Sequence, residues 1–266
     1  MAHLVESHGR KALVRIAHRG GGSLAAENSI AGIERSLEYG VDMIEVDVRR
    51  TSDGVLALSH EPTVGADAMV IQRETLASLR GAEPHLATLD EAFDAVGGRV
   101  ILNLDLKVAD VAADVLDAVR RHDAAERCIV SCLDGGCLTR VAALAPLIPR
   151  FISYPPDYGG ASSKPWLKPF VAAAVTGMRL TMIRRLRRML RPLPGTNATI
   201  YAPLITRELV TATPAMGISL YTWTVDDLAE MHRLAALGVD GITSNRPDLL
   251  AALAVREGVS EAVAAP

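Results

Sequence analysis

Short apolar runs alternate with segments of helical period along nearly the whole chain. The runs predict strands at 13–18, 42–48, 100–106, 128–133, 150–154, 198–204, 218–224 and 239–243. Helices are predicted between most of them, at 28–39, 88–96, 109–122, 136–145, 165–191, 206–216, 226–237 and 246–256. Eight strands alternating with helices imply an α/β fold with a parallel sheet. Closed on itself, such a sheet is a TIM (β/α)₈ barrel, whose usual size of roughly 250 residues suits this chain. An open doubly wound sheet is the alternative. After the second strand, Asp53-Gly54 signals a tight turn, which makes Val55 to His60 a short extra strand in a hairpin. Residues 61–87 read as a small, polar, irregular insertion after that strand, and 155–196 as a long connection. No Gly/Ser, Pro or low-complexity stretch marks a linker, so 1–266 reads as one domain.

Composition narrows the class. With 266 residues and 49% hydrophobic content the chain can bury a sizeable core, and a net charge of −3 argues against a general nucleic-acid binder. No apolar run approaches the ~20 residues of a membrane span. The polar stretch Met1 to Lys11 leaves no room for a signal peptide before the first strand. Three cysteines, Cys128, Cys132 and Cys137, fit no zinc spacing, and an odd number argues against a disulfide framework. They read as reduced core thiols, which suits a cytoplasmic protein.

In a barrel, chemistry gathers where strands end. His18, Glu45, Asp47, Asp105, Lys107 and Trp223 all fall late in, or just after, their predicted strands. Glu45 and Asp47, two apart on a strand, share a face, and two carboxylates so close repel unless a cation or proton lies between them. Asp105 ends a neighbouring strand. Three such acids make an oxygen-rich site for a hard divalent ion, Mg²⁺ or Ca²⁺. Lys107 adds a positive charge suited to an anionic substrate such as a phosphate ester. A buried ion-pair network of Lys107 and Arg19 with the acids is the plain structural alternative. His18 and His60 tilt the balance, because two imidazoles beside an acid cluster suit general acid/base work near neutral pH. The remaining histidines, His3, His8, His85, His122 and His232, read as surface residues.

The ordered set His18-Arg19-Gly20, Glu27-Asn28-Ser29, Glu45-Val46-Asp47-Val48, Thr51, Asp53-Gly54 and His60 resembles the signature of the glycerophosphodiester phosphodiesterase family. Later marks continue it: Asp105 and Lys107, Trp223-Thr224-Val225, and the run from Gly238 to Pro247. The resemblance implies a TIM barrel that hydrolyses glycerophosphodiesters with a divalent cation. It gives His18 and His60 the acid/base roles, and Glu45, Asp47 and Asp105 the metal. Arg19 and Lys107 would hold phosphate, and Trp223 would wall the glycerol or head group. Two departures stand out. The family commonly has Glu where Asp105 stands, so a water between Asp105 and the metal is expected. It usually has Asp where Glu61 follows His60. Asn28 or Ser29 also suits the N-cap of the next helix, with a site-lining role for Asn28 as the alternative.

Six arginines, Arg179, Arg184, Arg185, Arg187, Arg188 and Arg191, crowd one predicted helix; without them 22 basic residues face 31 acidic ones. At helical spacing Arg184, Arg187, Arg188 and Arg191 share one face, and Met182, Ile183, Leu186, Met189 and Leu190 the other. A basic amphipathic helix suits an anionic membrane surface, so 179–191 is a candidate for peripheral membrane contact. Packing on the barrel with solvated arginines is the alternative, and a dimer surface a further one. Three functions follow: hydrolysis of a small-molecule glycerophosphodiester, lysophospholipase D-like cleavage of a lysophospholipid, or a barrel that binds phosphodiesters without turnover.

Overall fold

The structure, a computed structural model, describes residues 13–156 and 168–253. Eight parallel strands form a closed ring: β1 (Val14–Ala17), β2 (Met43–Arg50), β6 (Ile101–Leu106), β7 (Cys128–Cys132), β8 (Arg150–Tyr154), β9 (Thr196–Tyr201), β10 (Leu220–Trp223) and β11 (Gly241–Ser244). Pairing of β1 with both β11 and β2 closes the ring. The TIM barrel expectation therefore holds, and the open sheet does not.

Alternation along the strands sorts the core into two parts. Ile16, Met43, Ile101, Ile129 and Phe151 fill the barrel's interior floor, with Tyr221 stacked on Phe151 at 4.5 Å between ring centroids. Outward residues such as Ile44, Val46, Leu102, Leu104, Cys128 and Val130 pack under the helices. A side chain at Gly241 would meet the Tyr221 ring at 2.8 Å, so this strand position requires a glycine. The helices are α1 (Ile30–Glu38), α3 (Leu89–Val96), α4 (Ala112–Arg121), α5 (Gly135–Leu144), α6 (Lys168–Leu190), α7 (Arg207–Ala212) and α8 (Leu228–Leu237), with a last helical stretch at 247–253. Side-chain caps start most of them: Ser29, Thr88, Asp134, Thr206 and Asp227 each accept a first-turn N–H.

Several expectations need adjusting. The strand expected at 198–204 ends at Tyr201, and the helix expected at 206–216 ends at Ala212. Pro203 and Pro214 lie just past these ends, each inside a short 3₁₀ turn. The hairpin forms: β3 (Leu56–Leu58) runs antiparallel to β2 through a turn in which Gly54 has φ +85°. Residues 61–87 are not irregular. They hold a two-stranded ribbon, β4 (Thr63–Val64) with β5 (Met69–Val70), and helix α2 (Leu76–Ala82). Ala57, Ile71, Leu79 and Leu86 give this insertion its own apolar cluster, which the polar composition concealed. All three cysteines are free and buried, and burial pushes the Cys128 thiol up to about 12.

Candidate active site

The C-terminal ends of β1, β2 and β6 bring the predicted charged groups together. On β2, Met43, Glu45, Asp47 and Arg49 alternate with the outward Ile44, Val46 and Val48. Parallel register sets Glu45 beside Asn103, Asp47 beside Asp105, and Asp105 beside Ser131. Glu45, Asp47 and Asp105 are all buried, and each offers an oxygen within 4.8 Å of the other two.

Cations offset part of this charge. Lys107 pairs with Asp105 and, at 2.7 Å, with Asp47 Oδ1. Arg19 follows β1 with φ +52°. Its backbone N–H donates to Glu45 Oε2 at 2.8 Å, its Nε lies 3.6 Å from Asp47 Oδ2, and its Nη1 donates to Glu27 at 2.6 Å. Burial works against ionising Asp47, but the Lys107 ammonium and then Arg19 hold its carboxyl well below the usual range. Burial, then repulsion from Asp47 and Asp105, drives the Glu45 carboxyl well above it. Burial opposes the charge on Lys107, yet the surrounding carboxylates push its pKa up. With the acids ionised, three negative charges meet two positive ones inside a low-dielectric barrel mouth.

This cluster fits a divalent cation. Three buried carboxylates are a hard oxygen donor set. Oxygens up to 4.8 Å apart can flank one ion at a typical bond length of roughly 2.4 Å. Asp47 Oδ1 lacks a well-directed hydrogen bond, touching only the Lys107 ammonium. The shorter Asp105 keeps an oxygen within 4.8 Å of the other two acids and is braced by Ser131, whose hydroxyl donates to Asp105 Oδ1 at 2.6 Å.

Asn28 is hydrogen-bonded to the acid cluster, and Ser29 is the cap. Asn28, buried with φ +57°, donates Nδ2–H to Asp47 Oδ2 at 2.8 Å and accepts the Asp47 backbone N–H at 2.9 Å. Ser29 Oγ accepts from Gly32 N.

His18 lies immediately after β1 with its Nε2 3.9 Å from Glu45 Oε2 and its Nδ1 2.7 Å from Asn245 Oδ1. Burial, reinforced by the Arg19 charge, lowers its pKa to about 4. His60 is more exposed and holds Nδ1 2.8 Å from Glu61. Its loop is tied to the rim: Ser59 N–H donates to the Asp47 carbonyl, and Arg49 Nη2 donates to the His60 carbonyl at 2.6 Å. Trp223 stands on β10 beside Tyr201 and donates Nε1–H to the Thr199 carbonyl. Among the described residues, neither His60 nor Trp223 makes a side-chain hydrogen bond or ion pair with the acid cluster.

Arg49, Asn103, Ser131, Asp226 and Asn245 were not singled out from sequence. For Arg49, Asn103 and Ser131 a signal existed: each lies two residues from an inward strand residue or opposite one. The other histidines divide. His85 is exposed, but His122 stacks on Phe93 and pairs with Asp90, and His232 buries Nε2. Those two are therefore not simple surface residues. His3 and His8 lie outside the described residues.

Barrel enzymes carry their active-site groups where the strands end, and its family and relatives make this one a hydrolase of phosphoric diesters. The chain belongs to the glycerophosphoryl diester phosphodiesterase family, whose model matches residues 18–249. That range includes all nine residues singled out for the site. A glycerophosphodiester phosphodiesterase of Caldanaerobacter subterraneus subsp. tengcongensis is 28% identical, over 91% of this chain and 98% of its own. A probable glycerophosphodiester phosphodiesterase 2 of Mycobacterium tuberculosis is 29% identical, over 92% of each. Among solved structures, an Oleispira antarctica phosphodiesterase bound to the product sn-glycerol-3-phosphate superposes with a TM-score of 0.71 at 21% identity, covering 91% of this chain and 95% of that one. Among the described residues no helix is long and apolar enough to cross a membrane.

Proposed function

We propose that this single-domain enzyme hydrolyses a glycerophosphodiester to glycerol 3-phosphate and a free alcohol, using Mg²⁺ or Ca²⁺ and two histidines. The observation that carries the reading is the buried Glu45–Asp47–Asp105 cluster beside His18, Arg19 and Lys107. The names of the relatives and the glycerol phosphate in the Oleispira structure support the substrate class.

Glu45, Asp47 and Asp105 would hold the ion, whose chemistry there would be Lewis-acid stabilisation of negative charge on the phosphoryl group. Arg19 and Lys107 would hold the phosphate oxygens, and Trp223 would wall the organic portion. One histidine takes a proton from the nucleophile, either water or the glycerol 2-hydroxyl. The nucleophile's oxygen bonds to phosphorus, the bond to the departing alcohol breaks, and the other histidine protonates that alcohol. Glu61 and Arg49 hold His60 for this work. Three free buried thiols suit a cytoplasmic setting.

A second reading, lysophospholipase D-like action at a membrane, is favoured by α6. This helix has 23 residues, about 34 Å at the usual rise, whereas α4, α5 and α8 have 10 each. Arg179 Nε donates to the Pro203 carbonyl, just past the end of β9, so the preceding turns extend above the strand ends. Phe170 and Leu180 are 71% and 84% exposed. Met182 and Leu186 are buried, and Arg184, Arg187, Arg188 and Arg191 are exposed. An apolar projection above a basic collar suits an anionic bilayer.

The deciding test compares choline release from glycerophosphocholine and from lysophosphatidylcholine, with Mg²⁺, with Ca²⁺ and with chelator. Faster metal-dependent release from the soluble diester supports the first reading, and faster release from the lysolipid the second. No turnover of any phosphodiester under any metal would leave a binding barrel.

A further inference from the structure

The two histidines differ in what stands behind them. His60 faces a carboxylate, whereas His18 faces a neutral amide that is itself held by a carboxylate. We propose that Asp226 and Asn245 are positioning residues that fix the ring tautomer and orientation of His18, leaving Nε2 as the nitrogen that exchanges a proton with substrate. The proposal rests on the reading of His18 as an acid/base group.

Hydrogen-bond logic carries it from the outside inward. Asp226 follows the Trp223-Thr224-Val225 strand end and faces solvent. Its Oδ1 accepts from Ser244 Oγ at 2.9 Å and from the Asn245 backbone N–H at 2.8 Å. Its Oδ2 lies 2.8 Å from Asn245 Nδ2. A carboxylate only accepts, so the NH₂ end of the Asn245 amide must point toward Asp226. The flipped amide would set oxygen against oxygen at that distance. The Asn245 carbonyl oxygen Oδ1 therefore faces His18 Nδ1 at 2.7 Å. That oxygen also only accepts, so Nδ1 carries the hydrogen. In the neutral ring the lone pair then falls on Nε2, the nitrogen turned toward Glu45 and the acid cluster. The backbone of Asn245 is pinned as well, since its carbonyl accepts from both Ser23 N–H and Ser23 Oγ–H. Val225 N–H donates to the Thr243 carbonyl at 3.0 Å, which locks the two strand ends that carry Asp226 and Asn245.

Among the described residues no other side-chain contact of His18 supplies this selection. Arg19 is a donor only and sits on the acid side. Glu45 Oε2, at 3.9 Å from Nε2, is beyond hydrogen-bond range. Remove the Asp226 charge and both amide orientations of Asn245 become available, and with them both tautomers of His18.

The experiment is ¹⁵N NMR of the histidine-labelled full chain, with His18 assigned from the H18A spectrum, alongside steady-state kinetics on glycerophosphocholine. The wild type is expected to show a protonated Nδ1 and an unprotonated Nε2 at His18. In D226N the His18 signals should shift toward a tautomer mixture. Its kcat should fall about 10- to 100-fold, the range for partners that orient site histidines, with KM changed less than about twofold. N245L should do the same or more. The double variant D226N/N245D restores an acceptor at Nδ1, backed by an amide, and should recover both the tautomer and most of kcat. If D226N folds poorly, N245L, which removes the acceptor at Nδ1, carries the comparison with wild type. A D226N enzyme that keeps the wild-type tautomer overturns the proposal, as does one whose tautomer shifts while kcat does not. Should H18A itself keep full activity, the acid/base reading of His18 fails instead, whatever the spectra of D226N show.

Discussion

Asn28→Ala, set against Ser29→Ala, tests whether Asn28 supports a metal ligand while Ser29 serves only as the helix cap. The side chain makes two buried hydrogen bonds to Asp47, one to its carboxylate and one from its backbone N–H. Losing a bond to a charged acceptor costs about 1.5–3 kcal/mol, and orphaning a buried N–H about 1–3 kcal/mol. Alanine at φ +57° adds roughly 1 kcal/mol of left-handed strain. Some water will enter the space, so a net loss of about 4 kcal/mol is expected, near 10 °C in Tm for a domain of this size. Ser29→Ala removes only the cap and should cost about 1 kcal/mol. The discriminating quantity is metal affinity. As a metal ligand, Asp47 would be preset by Asn28, so N28A should weaken Mg²⁺ or Ca²⁺ binding about 10- to 100-fold, while S29A leaves it unchanged. Urea unfolding and titration calorimetry on both variants measure this. Equal metal affinity in N28A and wild type, or a stability loss in N28A no larger than in S29A, would refute the reasoning.

Other outcomes follow from the same geometry. H18A and H60A should each lower kcat by about 10²- to 10⁴-fold with little change in Tm, read by choline release and thermal melts. Lys107→Met should destabilise the metal-free protein by about 3 kcal/mol, because Asp47 and Asp105 lose their shared buried cation; added Mg²⁺ should narrow the gap in urea unfolding. For pH, the Glu45 carboxyl is raised by folding, so its stabilising share is intact in acid and lost as pH climbs through the raised value. Asp47 is shifted the other way, and its share is lost only in strong acid. The Tm gain from a saturating divalent ion should therefore grow as pH rises beyond the ordinary carboxylate range and flatten in E45Q, checked by scanning calorimetry. R184E/R187E/R188E should abolish low-salt co-sedimentation with anionic vesicles while sparing turnover of the soluble diester; wild type that never sediments would remove the membrane role.

The sequence by itself determined the barrel and most of the rim. Apolar runs at strand spacing, with acids two apart on β2 and at the end of β6, are local patterns, and the β2 acids face inward because a strand alternates. Glu45, Asp47, Asp105 and Lys107 were therefore legible before any fold was known. So was the turn at Asp53-Gly54, since turn chemistry is local too. What only the tertiary structure decided are contacts between groups far apart in the chain. Asn28 reaches Asp47 across 19 residues, Ser131 reaches Asp105 across 26, and His18 reaches Asn245 across 227. A local pattern cannot tell an N-cap from a ligand brace at Asn28, because the choice depends on what the left-handed turn aims the side chain at. Likewise Asn245 was visible only as part of a motif. Its work arises because closing the barrel sets β11 against β1, and so the last strand end beside the first.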